Sequence, residues 1–553
     1  MSGGLPSLVR ESVSAFAAVF SNRSLRRLQF ANASSIIGGW AYVVALAVFA
    51  YRADGAYAVG LLAAARWVSG GIAAPVAGVI GDRYPRVRVM IASDLVRAVT
   101  LAAMAAAVLA DAPTLVVYGL ALVATLSATP FGPAQAALLP QLARSPAELT
   151  AANASTSAVD NIGSFLGPML GGLLVAVGDV EVVFVVAALL YAASALVVAS
   201  IRHREPIERG EEDDDGGGGL SGVLAGFRTL VREPRLRLVI GLVVAQTIVD
   251  GALDVLIVLL ALELLDAGAA GLGFLNSAAG AGGIAAAFVV AGLAARGRLA
   301  TSLGGGIVLW GLPLCLIGLF PELWVALVLL AVIGAGGTVV AVTSDTLLQR
   351  AAPPELLARV FGALDSLLLL ALAVGSVGVP FLADAIGLRG TLLVVGAFLP
   401  VLVLVTWRRL AAIDAEAVVP EERLELLARS PIFSPLPQPA LEALAVRLEP
   451  RRLAAGETVF AQGDLGDDYY LIQDGRVRVE VDGETMAELG PGEGFGEIAL
   501  LREVPRTATV TALTDLRLYA LEREHFLGAV TGHTESRAAA ESLVLGRLSP
   551  AAL

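Results

Sequence analysis

Lysine is missing from the sequence, and cysteine and histidine are nearly so: the 553 residues include one cysteine and three histidines. Without a lysine the chain cannot form a Walker A phosphate loop, which argues against an ATP-driven pump of that type. The single Cys315 excludes an internal disulfide framework, and three scattered histidines are too few for a zinc site. We therefore expect neither an enzyme nor a resident cofactor or metal.

Charged residues are scarce as well. They make up 16% of the chain against 57% hydrophobic residues, and the mean hydropathy is +0.78, whereas a soluble chain has about 25% charged residues. The deficit lies in residues 28–407, which form long apolar runs, while 408–553 mix polar and apolar residues. The net charge of −12 argues against a nucleic-acid partner. This composition predicts a membrane region followed by a soluble domain.

Residues 28–407 contain about twelve apolar runs, each close to the roughly 20 residues that a membrane-spanning helix needs. Arginines concentrate on every second loop, so the positive-inside rule predicts that both termini face the cytoplasm. Two short motifs recur at similar offsets: GGIAA at Gly70–Ala74 and Gly282–Ala286, and SPAEL at Ser145–Leu149 with PPELL at Pro353–Leu357. Two related halves are typical of a transporter that works by alternating access.

The loop after the second apolar run reads GVIGDRYPRVR over Gly78–Arg88. It resembles the cytoplasmic loop signature of the major facilitator superfamily, although Pro85 stands where that signature usually has a second glycine. In that family the glycine permits close helix packing and the charged residues form a latch that holds one conformation. The alternative is that these arginines only set the topology. The latch residues implied here, with two charged neighbours on the next helix, are Gly78, Asp82, Arg83, Arg86, Asp94 and Arg97.

A second resemblance lies in the fifth apolar run, where Gly163–Gly172 reads GSFLGPMLGG. It is similar to the exporter signature of the same superfamily, which is associated with proton antiport. Glycines four residues apart line one helix face, so another helix can approach closely, and the proline bends the span. The alternative is a generic packing face of small residues. The signature residues are Gly163, Gly167, Pro168 and Gly171.

Three carboxylates within apolar runs are candidates for proton coupling. A charged group at the centre of a membrane costs roughly 3 kcal/mol, so such groups are functional candidates. Asp250 and Asp254 are four residues apart and stack on one helix face, and Asp160 lies in the fifth run. The pair suits proton coupling or a cationic substrate. The alternative is that both lie near the end of a short span and are solvated.

The tail alternates apolar and polar residues from about residue 451 and is punctuated by Gly–Asp and Asp–Gly turns. This pattern predicts a β-roll of about six strands flanked by helices. Before the last two strands, Phe495–Val510 reads FGEIALLREVPRTATV. Gly494 and Gly496 allow the backbone to approach a ligand without Cβ interference. The free N–H groups from Glu497 onward suit an anion, and Arg506 suits a phosphate.

Residues 424–548 resemble a cyclic-nucleotide-binding domain. The matching features are the PIF segment at Pro431–Phe433, the LEALA segment at Leu441–Ala445 and the turn at Gly475. Within Phe495–Val510 the matching residues are, in chain order, FGE, AL, PR, A and V. The resemblance implies that Glu497 binds the ribose 2′-hydroxyl and that Arg506 binds the cyclic phosphate. The nucleotide site implied in this way is Phe495, Gly496, Glu497, Ile498, Ala499, Arg506 and Thr507.

The regulatory ligand implied by this resemblance is cAMP or cGMP. Thr507 follows the phosphate-binding arginine, and a threonine there permits a contact to guanine, so the choice of base stays open. The last helix, with Leu543 and Val544, is placed to form a lid over the base. The alternative is a structural β-roll that binds nothing.

The predicted fold class is an α-helical membrane protein with about twelve transmembrane helices in two pseudo-repeated halves, followed by a cytoplasmic β-roll with flanking helices. The predicted domains, in chain order, are a cytoplasmic N-terminal segment (1–27), the first six-helix half (28–201), an acidic and glycine-rich linker (202–236), the second half (237–407), a coupling linker (408–430) and the cyclic-nucleotide-binding domain (431–548).

These features together predict a cyclic-nucleotide-regulated secondary active transporter in the plasma (inner) membrane. We expect a proton-coupled exporter, an antiporter for the efflux of a small molecule, with cAMP or cGMP as allosteric regulator. Its partners would be the nucleotide, an unidentified small molecule, protons and the lipid membrane. The alternatives are a non-transporting membrane sensor or scaffold for the nucleotide, and a lipid flippase on the same fold.

Overall fold

Long apolar helices form the first part of the chain. The computed structural model describes residues 19–201, 234–294, 299–351, 357–417, 421–532 and 534–548. The chain divides into two units, Met1–Asp414 and Ala415–Leu553. The helices of the first, which we call the membrane unit, are α1 Arg23–Arg83, α2 Arg86–Leu109, α3 Thr114–Ala128, α4 Phe131–Leu142, α5 Pro146–Ala199, α6 Pro234–Leu259 with a π-helical turn Leu260–Leu264, α7 Gly268–Ala294, α8 Leu299–Leu319, α9 Leu323–Ala351 and α10 Leu357–Ala417.

Three of the longest helices each bend at a single residue with positive φ. These residues are Gly55 in α1, Asp179 in α5 and Gly387 in α10, with φ of 73°, 70° and 74°. Positive φ is unusual for a residue with a side chain. At Asp179 the carboxylate supports it by accepting hydrogen bonds from Val180 N at 2.8 Å and Arg52 Nη1 at 2.5 Å. Each bend separates two apolar runs, and we call this side of the bundle the kink side.

Within the described ranges, eight helices are long and apolar enough to cross a membrane, judged by length and composition. The three that contain the bends have apolar lengths of 52, 54 and 51 residues. Each is therefore long enough to cross twice, since one crossing takes about 20 residues. The total of twelve spans stays a prediction. One of the eight, Thr114–Leu142, contains both α3 and α4, which are separated at Pro130 because proline lacks the N–H that helix continuation needs.

The predicted coupling linker, 408–430, is helical in its first part. Helix α10 continues through it to Ala417, and Asp414 ties this extension to the start of α8. The buried Asp414 carboxylate accepts hydrogen bonds from Ala300 N and Thr301 N, both at 2.8 Å, and from Thr301 Oγ1 at 2.7 Å. It therefore satisfies backbone N–H groups that a helix start leaves without partners, as an N-terminal cap does.

The C-terminal unit is a β-roll with helices on either side. Its sequence predicts about six strands, whereas the described residues of the unit form eight. The missed strands lack the usual pattern: four of the five residues of one are exposed, and the other has two residues. The elements are α11 Glu421–Arg429, α12 Gln438–Arg447, β1 Glu449–Leu453, β2 Thr458–Phe460, β3 Asp468–Asp474, β4 Val477–Val481, β5 Glu484–Leu489, β6 Gly494–Phe495, α13 Glu497–Arg502, β7 Thr509–Ala512, β8 Leu516–Glu522, α14 Arg523–Thr531 and α15 Thr534–Leu548.

Two antiparallel sheets of four strands form the roll. Their strand orders are β1–β8–β3–β6 and β2–β7–β4–β5. In the first sheet, Tyr470 of β3 lies opposite Ala520 of β8 and Phe495 of β6. The short β6 is thereby fixed at the sheet edge, and it holds the beginning of α13 next to β3.

An aromatic cluster joins the first sheet to the helices. The Tyr469 ring stacks on Phe526 at 4.7 Å and meets Phe433 edge-on at 5.5 Å. Near it, the final helix is tied to the beginning of the unit, because Ser536 Oγ donates a hydrogen bond to Ile432 O at 2.7 Å. The first and last segments of the C-terminal unit are therefore packed together.

Candidate functional site

A cavity of about 360 Å³ lies in the C-terminal unit beside β6, α13 and the start of β7. Residues from β4 and β5, such as Val479 and Met486, form its apolar side. β6, α13 and the following loop are consecutive in the chain, so a short contiguous stretch supplies most of the polar side. All the residues of the predicted nucleotide site line this cavity: Phe495, Gly496, Glu497, Ile498, Ala499, Arg506 and Thr507.

Arg506 is buried in the wall of this cavity, 3% exposed. Its guanidinium donates to Asp468 O at 2.7 Å and to Gly496 O at 3.2 Å, and it lies 4.2 Å from the centre of the Phe460 ring. Burial lowers the pKa of Arg506. Arg506 Nε has no partner among the described residues, so the guanidinium retains donor capacity for an anion.

Glu497 begins α13 and is 1% exposed. Its Oε1 accepts a hydrogen bond from Arg547 Nη1 at 2.8 Å, while Oε2 has no partner among the described residues. Burial, and then the nearby Glu497 charge, raise the pKa of Tyr469. The cavity thus offers a carboxylate oxygen that can accept a hydrogen bond from a ligand hydroxyl.

Arg547 is a residue of this site that sequence reasoning missed. It lies on α15 and lines the cavity. Leu543 and Val544 are the predicted lid, but neither lines the cavity: Leu543 packs against the core of the unit and Val544 is buried. Arg547 is one helical turn after Leu543, so the helical repeat is the signal that could have found it.

Gly494 and Gly496 make room for side chains of the protein, while the predicted approach of their backbone to a ligand stays a prediction. A methyl group at Gly494 would come within 1.8 Å of Tyr469 Oη, and one at Gly496 within 2.6 Å of Arg506 Nη1. Gly496 also has φ of 95°, a conformation that favours glycine. These glycines therefore position the buried tyrosine and arginine next to the cavity.

A larger cavity, of about 790 Å³, lies between the two halves of the membrane unit. Two of the three predicted proton-coupling residues line it, Asp160 and Asp254, whereas Asp250 is half-buried and lies outside the lining. Asn32 Nδ2 donates to Asp160 Oδ1 at 2.8 Å. Trp67 Nε1 donates to Asp254 Oδ2 at 3.1 Å. Each of the two acids thus accepts one side-chain hydrogen bond at the cavity surface.

The predicted latch residues fall into two groups. Arg83 is exposed at the end of α1, and Arg86 begins α2 and is half-buried. For Gly78 and Asp82 the structure describes only the backbone, which is part of α1. Their role as a latch stays a prediction.

The other two latch candidates, Asp94 and Arg97, form an ion pair with each other. Both are buried, and Ser194 Oγ donates to Asp94 Oδ2 at 2.6 Å. The Arg97 guanidinium lies 4.2 Å from the centre of the Tyr191 ring and borders the membrane cavity. The pair therefore joins α2 to α5 within the first half.

The glycines of the exporter signature bring α5 against α1. A methyl group at Gly163 would come within 2.3 Å of Ile36 Cγ2, and one at Gly171 within 2.7 Å of Ala41 O. Gly167 lies between them, where a methyl group would come within 2.5 Å of Trp40 Cβ, and the neighbouring Pro168 is buried inside α5. Any side chain larger than hydrogen would push these helices apart.

Two further polar residues of the membrane cavity, Arg66 and Tyr42, are absent from the predicted set. Both lie on α1 in apolar surroundings and line the cavity. An arginine inside an apolar run is a functional candidate by the same rule that singled out the aspartates. That rule, applied to both signs of charge, would have found Arg66.

Family models match both units. The model of the Major Facilitator Superfamily matches residues 28–297 and 245–453, which together cover more than half of the chain. The chain belongs to this superfamily. The model of the cyclic nucleotide-binding domain matches residues 450–533, so this superfamily transporter carries such a domain at its C-terminus. Both resemblances read from the sequence are confirmed.

Individual relatives resemble one unit or the other. The cAMP-dependent protein kinase regulatory subunit of Yarrowia lipolytica is 34% identical over 120 residues, which are 21% of this chain and 32% of that protein. The chain thus spans about a third of the length of this relative. The regulatory domain of Toxoplasma gondii PKA, solved with cAMP, is 30% identical, with a TM-score of 0.21, over 23% of this chain and 50% of that one.

The membrane unit has a solved structural neighbour. A POT family transporter, crystallised with a thioalcohol-conjugated peptide, has a TM-score of 0.57 and 14% sequence identity. The match covers 70% of this chain and 96% of that one. At this level of identity it shows a shared fold alone, the helical fold of a superfamily transporter.

Proposed function

We propose that this superfamily member is a proton-coupled exporter whose activity is regulated by cAMP or cGMP. The nucleotide part of the proposal rests on two atoms that have no partner among the described residues, Glu497 Oε2 and Arg506 Nε. They belong to two buried charged residues that line one cavity. An unsatisfied buried polar group costs about 1–3 kcal/mol, and more when charged. A ligand with a ribose hydroxyl and a phosphate would satisfy both.

The identity of the nucleotide rests on the pocket and its relatives. Glu497 binds the ribose and Arg506 the cyclic phosphate, while the base lies against the apolar side near Val479 and Met486. The similarity to a regulatory subunit named cAMP-dependent favours cAMP. Thr507 supplies the only hydroxyl among the residues that line the cavity as described, and it leaves cGMP as the second candidate.

The transport part of the proposal is supported by contacts between the two halves of the membrane unit near the kink side. Tyr51 Oη donates to Glu263 Oε1 at 2.7 Å, and Tyr57 Oη donates to Asp384 Oδ2 at 2.6 Å. Such bonds hold the halves together beside the cavity, and alternating access would require them to break in the opposite state. Asp160 and Asp254, at the cavity surface, are the proposed carriers of the proton.

Regulation requires that the nucleotide bind one state of the transporter more tightly than the other, since equal affinity shifts no equilibrium. The predicted coupling linker, residues 408–430, is the proposed route. Its first part is an extension of α10 that Asp414 fixes to α8. With the N- and C-termini in the cytoplasm, as the arginine distribution predicts, the nucleotide would act from the cytoplasmic side of the plasma membrane.

The nucleotide site is tested by calorimetric titration of the full-length protein with cAMP and cGMP. We expect Glu497→Gln and Arg506→Gln each to weaken binding by about 10- to 100-fold, because hydrogen bonds to charged groups are worth about 1.5–3 kcal/mol. Arg502→Gln is the matched control, since Arg502 is exposed on the same short helix. Unchanged affinity in both pocket variants would sink the site assignment.

Transport is tested in proteoliposomes that contain a pH indicator and carry an imposed pH gradient. Addition of small organic anions and cations, with and without cAMP, should produce proton movement whose rate depends on the nucleotide in the wild type but not in Arg506→Gln. No proton-linked flux under any nucleotide condition would contradict the exporter and favour a sensor. Movement of a labelled phospholipid in place of the small molecules would favour a flippase.

A further inference from the structure

Arg66 is a cation in the membrane cavity without a carboxylate partner among the described residues. Its Nε donates one long hydrogen bond, 3.3 Å, to Thr125 Oγ1, and its guanidinium lies 5.6 Å from the centre of the Tyr42 ring. Asp254 is near enough to interact with it electrostatically, but Trp67 holds that carboxylate. An arginine within an apolar helix is costly unless something pairs with it.

The second observation is the hydroxyl of Tyr42. This residue is 5% exposed, lines the same cavity, and its hydroxyl makes no hydrogen bond to any described residue. A buried hydroxyl without a partner costs free energy. Tyr42 and Arg66 lie on one helix, and both have hydrogen-bond donors without a partner among the described residues.

Arg97 shows what a structural arginine looks like in the same cavity. It also borders the cavity, but Asp94 neutralises it and the Tyr191 ring covers it. Among the described residues, one cavity arginine therefore has a carboxylate partner and the other has none. This contrast indicates that Arg66 binds a ligand that enters the cavity.

We infer that the membrane cavity binds a small organic molecule carrying a carboxylate or phosphate group. The oxyanion contacts the Arg66 guanidinium, which matches the geometry of such groups, and the Tyr42 hydroxyl. The apolar body lies against Trp40 and Trp67, which also line the cavity, and the volume of about 790 Å³ suits a drug-sized ligand. The inference rests on the proposed transport function, since it takes this cavity as the substrate site.

This arrangement separates the substrate from the proton. Asp160 lies on α5 with Asn32 as its partner, and Asp254 lies on α6 in the other half with Trp67. An oxyanion at Arg66 would leave both carboxylates free to exchange protons. The charge of the anion would also offset the attraction of Arg66 for Asp254, so binding of the substrate and protonation would be coupled although they use different residues.

Binding is measured by tryptophan fluorescence of the full-length protein in nanodiscs, because two tryptophans line the cavity. The probes are 3-phenylpropionate and phenyl phosphate as oxyanions, with 3-phenylpropylamine and 3-phenyl-1-propanol as matched cation and neutral molecule. We expect at least one oxyanion to bind more tightly than the amine and the alcohol. Arg66→Gln should weaken that binding by about 10- to 100-fold, and Tyr42→Phe by a smaller factor.

Arg66→Lys should restore part of the affinity, because lysine keeps the charge but loses the planar contact. Arg144→Gln removes an exposed arginine of the first half, away from the cavity, and should bind like the wild type. Equal binding of all four probes, or oxyanion binding that Arg66→Gln leaves unchanged, overturns the inference while flux under a pH gradient can still be present. Oxyanion binding that depends on Arg66, without flux of that anion, supports the site and contradicts the transport proposal.

Discussion

Asp94 and Glu497 are both buried carboxylates that pair with an arginine, but their surroundings differ. In the membrane unit both oxygens of Asp94 have partners, Arg97 on one and Ser194 on the other. In the C-terminal unit Glu497 has one partner, Arg547, whose side chain is 28% exposed, and one oxygen that no described residue contacts by a hydrogen bond. The closed pair holds helices together, and the open pair can accept a ligand. Burial alone therefore does not distinguish structure from binding; these two carboxylates differ in that one oxygen of Glu497 has no partner among the described residues, whereas both oxygens of Asp94 have one.

The largest effect is expected from breaking the closed pair. Asp94→Asn leaves the buried Arg97 without its counter-charge and should destabilise the membrane unit by about 3–5 kcal/mol. The double variant Asp94→Asn with Arg97→Gln should recover part of this loss, because no charge is then left unpaired. Thermal unfolding of the detergent-solubilised protein measures both. A single variant that melts at the wild-type temperature would show that the pair is not structural.

A third buried carboxylate, Asp414, extends the comparison, because backbone N–H groups satisfy it in place of an arginine. Asp414→Ala removes the cap of α8, for which a loss of about 0.5–2 kcal/mol is usual. We expect cAMP to bind with wild-type affinity while the response of proton-linked flux to cAMP falls. Flux and titration on the same preparation measure this. An unaltered response would mean that regulation does not depend on the anchored end of α10.

The smallest effect is expected at the open pair. Arg547→Gln removes the cation that occupies one oxygen of Glu497, so both oxygens could accept hydrogen bonds from a nucleotide. Nucleotide affinity should rise by about fivefold, which corresponds to the roughly 1 kcal/mol of a partly exposed ion pair. Arg537→Gln is the control, since Arg537 forms an exposed pair with Glu541 on the same helix. Weaker nucleotide binding in Arg547→Gln would instead make Arg547 a ligand contact.

The nucleotide site could be predicted from the sequence because its residues are contiguous. Glu497 and Arg506 stand in one stretch whose spacing carries the chemistry, and both line the cavity. Arg547 could not be found in the same way, because it reaches Glu497 through tertiary folding across 50 positions. The helical repeat of α15 narrows the choice of residues but does not say which face meets the pocket.

The membrane cavity shows the opposite case. Its lining comes from several helices, so no local pattern marks it, and the repeats that revealed two halves say nothing of what lies between them. The i, i+4 spacing places Asp250 and Asp254 on one face, yet only Asp254 borders the cavity, because consecutive turns of a helix sit at different depths. Arg66 escapes prediction for a simpler reason: the positive-inside rule takes arginines as markers of loops and does not address an arginine within a span.

The tie between Ser536 and Ile432 has a mechanical consequence. Ser536 sits near one end of α15 and Arg547 near the other, roughly 16 Å apart at 1.5 Å of rise per residue. One end of this helix is therefore fixed to the segment directly after α11, and its other end reaches the Glu497 carboxylate. If a nucleotide displaced Arg547 from Glu497, movement of this end of α15 would be transmitted along the helix to the first residues of the C-terminal unit.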